Sequence, residues 1–270
     1  MSSICLNCVL FTIKGREVKD NKYVPIFQMW LGQLICSGGL SAADAIYFYT
    51  DADTLEYLKQ TIVFVNLTLK IPCQLRLFVM SQRPASYVEG VMWRFIPNDY
   101  SQDVFMYCDI DILFNKSIHL ITDAMKDNTI CIHREGDITN HEYGNAFKKE
   151  ELEKLGVGCP GFSAGKFLIK GKTLYKKLLD IAHAIRVEVE YNKIPDINDQ
   201  HIFNKTIYCL NMNEHTIDFT TLNPPIISTN GFNFQKDLTI LLDLMGMYGD
   251  GDFHYKKMRD MFILLRCNAF

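Results

Sequence analysis

No stretch of the 270-residue chain is apolar for long enough to cross a bilayer. The opening residues, MSSICLNCVLFTIKG, lack a charged leader region and a convincing cleavage site. Their apolar run therefore reads as a first core strand, not as a signal peptide. Internal repeats, low-complexity tracts and linker-like segments are missing as well. So is an excess of positive charge: the formal net charge is −3, which argues against nucleic acid or an anionic membrane as the main partner. A local basic pocket is compatible with that balance. Neither H-E-x-x-H, nor G-x-S-x-G, nor a P-loop occurs, and His119, His133, His141, His183, His201 and His215 show no metal-ligand spacing.

What remains is an ordinary globular composition, 48% hydrophobic and 22% charged, enough to bury a sizeable core. The length suits one large α/β domain or two merged lobes. The nine cysteines are odd in number and irregular in spacing. Cys108 and Cys209 sit in apolar runs and read as buried free thiols. Cys5 and Cys8 form the one C-x-x-C; both fall in the strand-like run from Ile4 to Ile13, without a second ligand pair, so a structural role is expected over zinc or redox chemistry. A reducing, cytoplasmic compartment follows. The N-x-[ST] matches at Asn66, Asn115 and Asn204 are then silent.

The pattern alternates strand and helix. Tyr23 to Cys36 has helical spacing, with Ile26, Phe27, Trp30, Leu31 and Leu34 on one face. Ala45 to Thr50, Leu75 to Val79 and Asp103 to Cys108 read as strands, separated by helical stretches over Asp53 to Val63 and Tyr87 to Ile96. That βαβαβαβ order implies a mainly parallel sheet covered on both faces. Further on, Thr129 to His133, Phe162 to Ile169 and Ile207 to Leu210 read as strands, and Lys172 to Tyr191 and Lys256 to Leu265 as helices. The Lys/Glu run from Lys148 to Lys154 reads as a solvated helix face.

The central feature is Val104-Phe105-Met106-Tyr107-Cys108-Asp109-Ile110-Asp111. An apolar strand runs into two acids separated by one residue. In extended chain, Asp109 and Asp111 project together and Ile110 turns into the core. The pair stands at the C-terminal end of a parallel strand, where open α/β sheets place ligands. Two adjacent carboxylates repel each other unless a cation joins them. Mn²⁺ or Mg²⁺ suits such oxygen ligands and can bridge a diphosphate as a Lewis acid. The rival D-x-D, in which the first Asp is a phosphohydrolase nucleophile, usually follows the first strand rather than the fourth.

At these residues the chain resembles glycosyltransferase family 8, the group of glycogenin and the lipopolysaccharide galactosyltransferases. The block from Tyr100 to Asp111 resembles that family's D-x-V-L-Y-L-D-x-D signature. The resemblance implies the GT-A fold, a Rossmann-like α/β fold with a mixed, mainly parallel sheet. It implies a single domain over 1–270, about 1–115 binding the nucleotide sugar and about 116–270 shaping the acceptor site and metal loop. Trp93-Arg94-Phe95 is similar to the family's aromatic-Arg-Leu run, which gives Arg94 a donor contact; the plainer reading is a solvated helix arginine. Gly161-Phe162-Ser163-Ala164-Gly165 resembles the F-N-[SA]-G loop that lines the donor sugar, with Ser163 in place of Asn. Asn198 to Asn204 resembles D-Q-x-x-[LF]-N, so Asp199 would bind sugar hydroxyls near the reacting carbon, supported by Gln200; the plainer reading is a helix cap by Asp199. Gly249 to Met258 departs from the family's H-x-x-G-x-x-K-P-W pattern, yet offers His254 as third metal ligand and Lys257 as diphosphate partner. Phe11-Thr12-Ile13-Lys14 and Tyr23 resemble the first-strand loop around base and ribose.

The resulting expectation is a metal-dependent hexosyltransferase with Mn²⁺ or Mg²⁺, a UDP-sugar donor and a glycan, protein or small-molecule acceptor, acting with retention. A catalytically inactive nucleotide-sugar or partner-binding module is the alternative. A nucleotidyltransferase would need a Gly-rich loop near the start, where Gly15 stands alone.

Overall fold

The computed structural model describes residues 2–21, 23–97, 100–110, 112, 117–213 and 215–219, without the side chains at 25, 26, 28, 29, 33, 36 and 37. The first half is a right-running alternation: β1 (Ile4–Val9), α1 (Tyr23–Ser37), β2 (Ala45–Asp51), α2 (Ala52–Leu69), β3 (Gln74–Met80), α3 (Tyr87–Val91) and β4 (Val104–Cys108). The second half holds α4 (His119–Ala124), β5 (Thr129–Asp137), α5 (His141–Gly144), α6 (Lys149–Leu155), β6 (Pro160–Lys170), α7 (Lys172–Tyr191), α8 (Asp199–Cys209) and β7 (Thr216–Asp218). The strands form a seven-stranded sheet in the order β3-β2-β1-β4-β6-β5-β7. β3, β2, β1 and β4 are mutually parallel, β6 is antiparallel to both of its neighbours, and β7 pairs parallel with β5. The α/β class with a mixed, mainly parallel sheet is as expected.

Burial explains why these strands were visible as continuous apolar runs. Every residue of β1, β2 and β4 is buried, since helices cover both faces. One face packs Tyr47, Tyr49, Phe105, Phe162 and Phe167 against the 3₁₀ turn from Met92 to Phe95, α7 and α8. The other packs Ile4, Leu6, Phe48 and Met106 against Phe27, Trp30, Leu31 and Leu34 of α1. Those four form the helical face expected there; the Ile26 side chain lies outside the described residues. Cys5 and Cys8, three apart on β1, fall into opposite core layers, so this C-x-x-C cannot close on one ligand. Burial pushes both thiols up, away from the reactive thiolate.

Two expectations fail. Ile207 to Leu210 is not a strand: α8 runs through it to Cys209. Asp199 and every residue from His201 to Tyr208 are buried, so the helix shows no solvent-facing polar stripe and its last turn imitates a strand. Cys209, read as a buried thiol, is exposed at the end of that helix. The Lys/Glu run does form a solvated helix, α6, with no buried residue. The expected helix from Lys256 to Leu265 lies outside the described residues. Among those described, no helix is long and apolar enough to cross a membrane.

Three helices of the second half, α6, α7 and α8, meet on one cation. Lys205, whose side chain is 6% exposed, donates to the Ala146 carbonyl at 3.0 Å and lies 3.4 and 3.5 Å from Glu151 and Glu188. Replacing it strands these acceptors. Lys205→Ala should lower the unfolding free energy by about 1–3 kcal/mol, read from urea melts. An unchanged midpoint would mean that apolar contacts alone hold the junction.

Candidate functional site

β2 and β3 lie to one side of β1, and the chain then returns to place β4 on the other side. Connections therefore diverge at the C-terminal ends of β1 and β4, which leaves a crevice at the switch point of the sheet. A cavity of about 560 Å³ opens there. Its floor and walls come from Val9 to Ile13 after β1, from Asn21 and Tyr23, from Tyr87, Val91 and Arg94, and from Tyr107, Asp109 and Ile110 at the end of β4.

The loop after β1 is pinned. The Thr12 N–H donates to Asp51 Oδ2 at 2.9 Å, and its hydroxyl shares a hydrogen bond with Thr54 at 2.8 Å. Asn21 donates to the Phe11 carbonyl at 2.8 Å and to Thr12 Oγ1 at 3.2 Å, and accepts from the Tyr23 N–H. The Lys14 N–H reaches the Pro84 carbonyl at 2.9 Å, and Arg83 reaches the Arg16 carbonyl at 2.8 Å and Asp53 at 2.8 Å. Thr12 and Tyr23 line the cavity, with the Thr12 hydroxyl already engaged by its neighbours. Lys14 is exposed on the turn and does not join the lining.

At the inner end sits Arg94, in a short 3₁₀ turn from Met92 to Phe95. Its side chain is 3% exposed, so the plain reading as a solvated helix arginine is wrong. Nε donates to the Val91 carbonyl at 3.1 Å and Nη1 to the Ala164 carbonyl at 2.7 Å. Nη1 also lies 2.7 Å from Asp199 Oδ2, and Nη2 lies 3.2 Å from Asp109 Oδ1. The guanidinium stands 4.1 Å above the Tyr107 ring. Burial by itself would push Arg94 toward losing its proton, but Asp199, then Tyr107 and Asp109, more than reverse this, and it stays charged. The Tyr107 hydroxyl donates to Asp109 Oδ1 at 2.7 Å. Burial and then the Asp109 charge hold the phenol well above its usual range against the pull of Arg94, so it remains a donor.

Five of the sequence-derived residues thus meet in one constellation: Arg94, Asp109, Ala164, Gly165 and Asp199. Ile110 is buried beside them and lines the cavity. Ser163 is half-buried on β6. Gln200 is half-buried, with its amide on the Glu142 carbonyl at 3.3 Å. Asp199 is not the cap of α8; Asn198 is, accepting from the His201 N–H. This leaves Asp199 available for Arg94. The closing Asn204 of the same segment fastens α8 to β6, bonding the Phe162 N–H and carbonyl at 2.8 Å each. Asp111, His254 and Lys257 lie outside the described residues.

Of the two acids, only Asp109 lies within the described residues. β4 ends at Cys108, and the Ile112 N–H bonds the Asp109 carbonyl at 3.1 Å. Among the described residues no three His, Cys, Asp or Glu side chains gather as a metal-ligand set. The described part supplies one carboxylate of the chemistry a hard cation needs: the Asp109 side chain is 35% exposed, and a Cβ at Gly165 would stand 2.6 Å from its Oδ2, so glycine is what lets the carboxylate lie against β6. Tyr107, Asn21 and Tyr87 were not singled out from sequence. Tyr107 carried a signal, being two residues before Asp109 on the same strand; Asn21 and Tyr87 carried none.

No protein-family model matches the chain, and no curated protein does so significantly. Solved structures do. Mouse xyloside xylosyltransferase 1, in its apo form, superposes with a TM-score of 0.50 over 80% of this chain and 84% of that one, at 15% identity. The fold is GT-A. At that identity the likeness establishes the GT-A architecture and leaves the chemistry to the site itself.

Gly165→Ala tests the room beside Asp109. The added methyl would stand 2.6 Å from Asp109 Oδ2 and must displace the carboxylate, so the variant should lose about 1–3 kcal/mol of unfolding free energy in urea melts, with the circular dichroism spectrum unchanged. An unchanged midpoint would show that the carboxylate turns aside at no cost.

Proposed function

We propose that the chain is a glycosyltransferase that moves a hexose from a nucleotide diphosphate sugar, with UDP the expected nucleotide, to a hydroxyl acceptor. One observation carries this reading: a cavity at the switch point of a GT-A sheet is lined at its inner end by Asp109 and Arg94, and Arg94 is paired in turn with Asp199. The volume of about 560 Å³ is in the range of small-molecule and cofactor sites.

The pinned loop from Phe11 to Ile13, with Tyr23, forms the wall for base and ribose. Asp109, with Asp111 and His254, would hold Mn²⁺ or Mg²⁺. Such a cation supplies Lewis-acid stabilisation to the departing diphosphate, and Lys257 would add a second positive charge. Asp199 faces the sugar side, aimed by Arg94, with Gln200 next to it and the backbone of Ser163, Ala164 and Gly165 along the donor sugar. Arg94 then acts chiefly by positioning the two carboxylates. In the transfer, the bond from anomeric carbon to diphosphate oxygen breaks and a bond to the acceptor oxygen forms. The resemblance to glycosyltransferase family 8 supports retention; a single domain over 1–270, and a cytoplasmic location read from the odd, irregular cysteines, are parts of the same proposal.

A second reading, binding without transfer, is favoured by one observation: Arg94 commits its donors to Val91, Ala164, Asp109 and Asp199. Donor hydrolysis separates the two. With a matching nucleotide sugar, Mn²⁺ should release nucleotide diphosphate, and both EDTA and Asp109→Asn should lower the rate about 100-fold or more. Asp199→Asn should lose turnover but keep nucleotide binding. Stabilisation by a nucleotide sugar without turnover would select the binding module. Neither stabilisation nor hydrolysis with any common nucleotide sugar would remove both.

A further inference from the structure

His201 stands at the third position of α8, fully within the protein, 2% exposed. Both ring nitrogens are in use. Nδ1 lies 3.0 Å from the Asn198 N–H, which can only donate, so Nδ1 accepts. Nε2 lies 2.8 Å from the His141 carbonyl, which can only accept, so Nε2 carries the proton. This pattern defines one neutral tautomer. Together with the Asn198 side chain on the His201 N–H, it completes a reciprocal capping box around the first turn of α8. The two residues enclosed by that box are Asp199 and Gln200. The first is paired with Arg94 at 2.7 Å, and the second is bonded to the Glu142 carbonyl, next to His201's own anchor on α5.

We infer that His201 is a positioning residue for the reaction: its neutral Nε2–H form clamps the start of α8 and so holds Asp199 on Arg94, and its protonation releases that clamp. The inference rests on the glycosyltransferase reading for the role of Asp199, but not for the clamp itself. A proton added at Nδ1 would face the Asn198 N–H, donor against donor at 3.0 Å. It would orphan that part-buried N–H and put a cation at a helix N-terminus, where the dipole is unfavourable.

The charged and titratable surroundings agree. From α5 the ring faces His141, edge to face at 5.9 Å, and the start of α5 also carries Glu142. On its own helix stands Asp199, with Arg94 behind it. α7 sends Glu188 to Lys205, one turn further along α8. β6 meets the helix through the neutral Asn204 amide. Burial first, then His141, lower the His201 pKa below its ordinary 6.5, while the His141 carbonyl and Asp199 pull the other way. The sign follows: below 6.5 the unfolded chain takes a proton that the folded chain refuses. Stability is therefore complete at higher pH and falls as pH drops from 6.5 toward the folded pKa.

The experiment compares wild type, His201→Gln and His201→Ala. Gln at this position can accept from the Asn198 N–H and does not titrate. With donor and acceptor identified, His201→Ala should lower kcat about tenfold while donor KM stays within about twofold, and His201→Gln should recover most of the loss. The wild-type acid limb should follow the His201 ring titration seen by NMR and should be missing in His201→Gln. Independently of activity, hydrogen exchange at the Asn198 amide should accelerate as the ring protonates. An identical acid limb in His201→Gln, or an Asn198 amide unmoved by ring protonation, would overturn the inference. If the wild type turns over no nucleotide sugar while the Asn198 amide responds as stated, the functional reading fails and the clamp stands.

Discussion

A single guanidinium, buried at the end of the cavity, ties three separate parts of the chain together. Arg94 comes from the turn after α3, Asp109 from the end of β4, and Asp199 from the first residue of α8, while the Ala164 carbonyl belongs to β6. A cation so deeply buried is tolerable only with partners of opposite charge and satisfied donors. The surrounding structure supplies both, so the same contacts that keep Arg94 charged also fix where the two carboxylates stand. Tyr107 adds its ring below the guanidinium and its hydroxyl on Asp109.

The sheet makes this meeting possible. β1 and β4 are central, parallel neighbours, and their connections leave in opposite directions, which opens the crevice. β6 runs antiparallel beside β4 and brings Gly165 against Asp109, where the Asp109 N–H bonds the Gly165 carbonyl at 2.8 Å. α8 is fastened to β6 by Asn204 and to α5 by His201 and Gln200. The site is therefore built from strand ends and a helix terminus held by hydrogen bonds to backbone, a rigid platform for a preorganised polar site.

Much of this was legible in the residues, and the failures have physical causes. β1, β2 and β4 are buried on both faces, so their apolar runs stood out. α8 is buried almost all round, and the same apolar density made its end look like a strand. Strand alternation was used to place Asp109, although β4 already ends at Cys108. Asp199 looked like a cap because acids favour that position, yet Asn198 takes it. Lys14 resembled a site residue by its neighbours in sequence, and the turn carries it outward.

The sequence by itself determined the alternation of strand and helix, the two-sided burial of the central strands and the presence of an acid at the exit of the fourth. Those are local properties, set by side-chain period and hydrophobicity. Only the tertiary structure decided that Arg94 is buried, that it joins Asp109 to Asp199, and that His201 is held neutral against α5. Such pairings depend on which strands become neighbours and on which donors meet which acceptors, and no local pattern encodes a contact between segments so far apart along the chain.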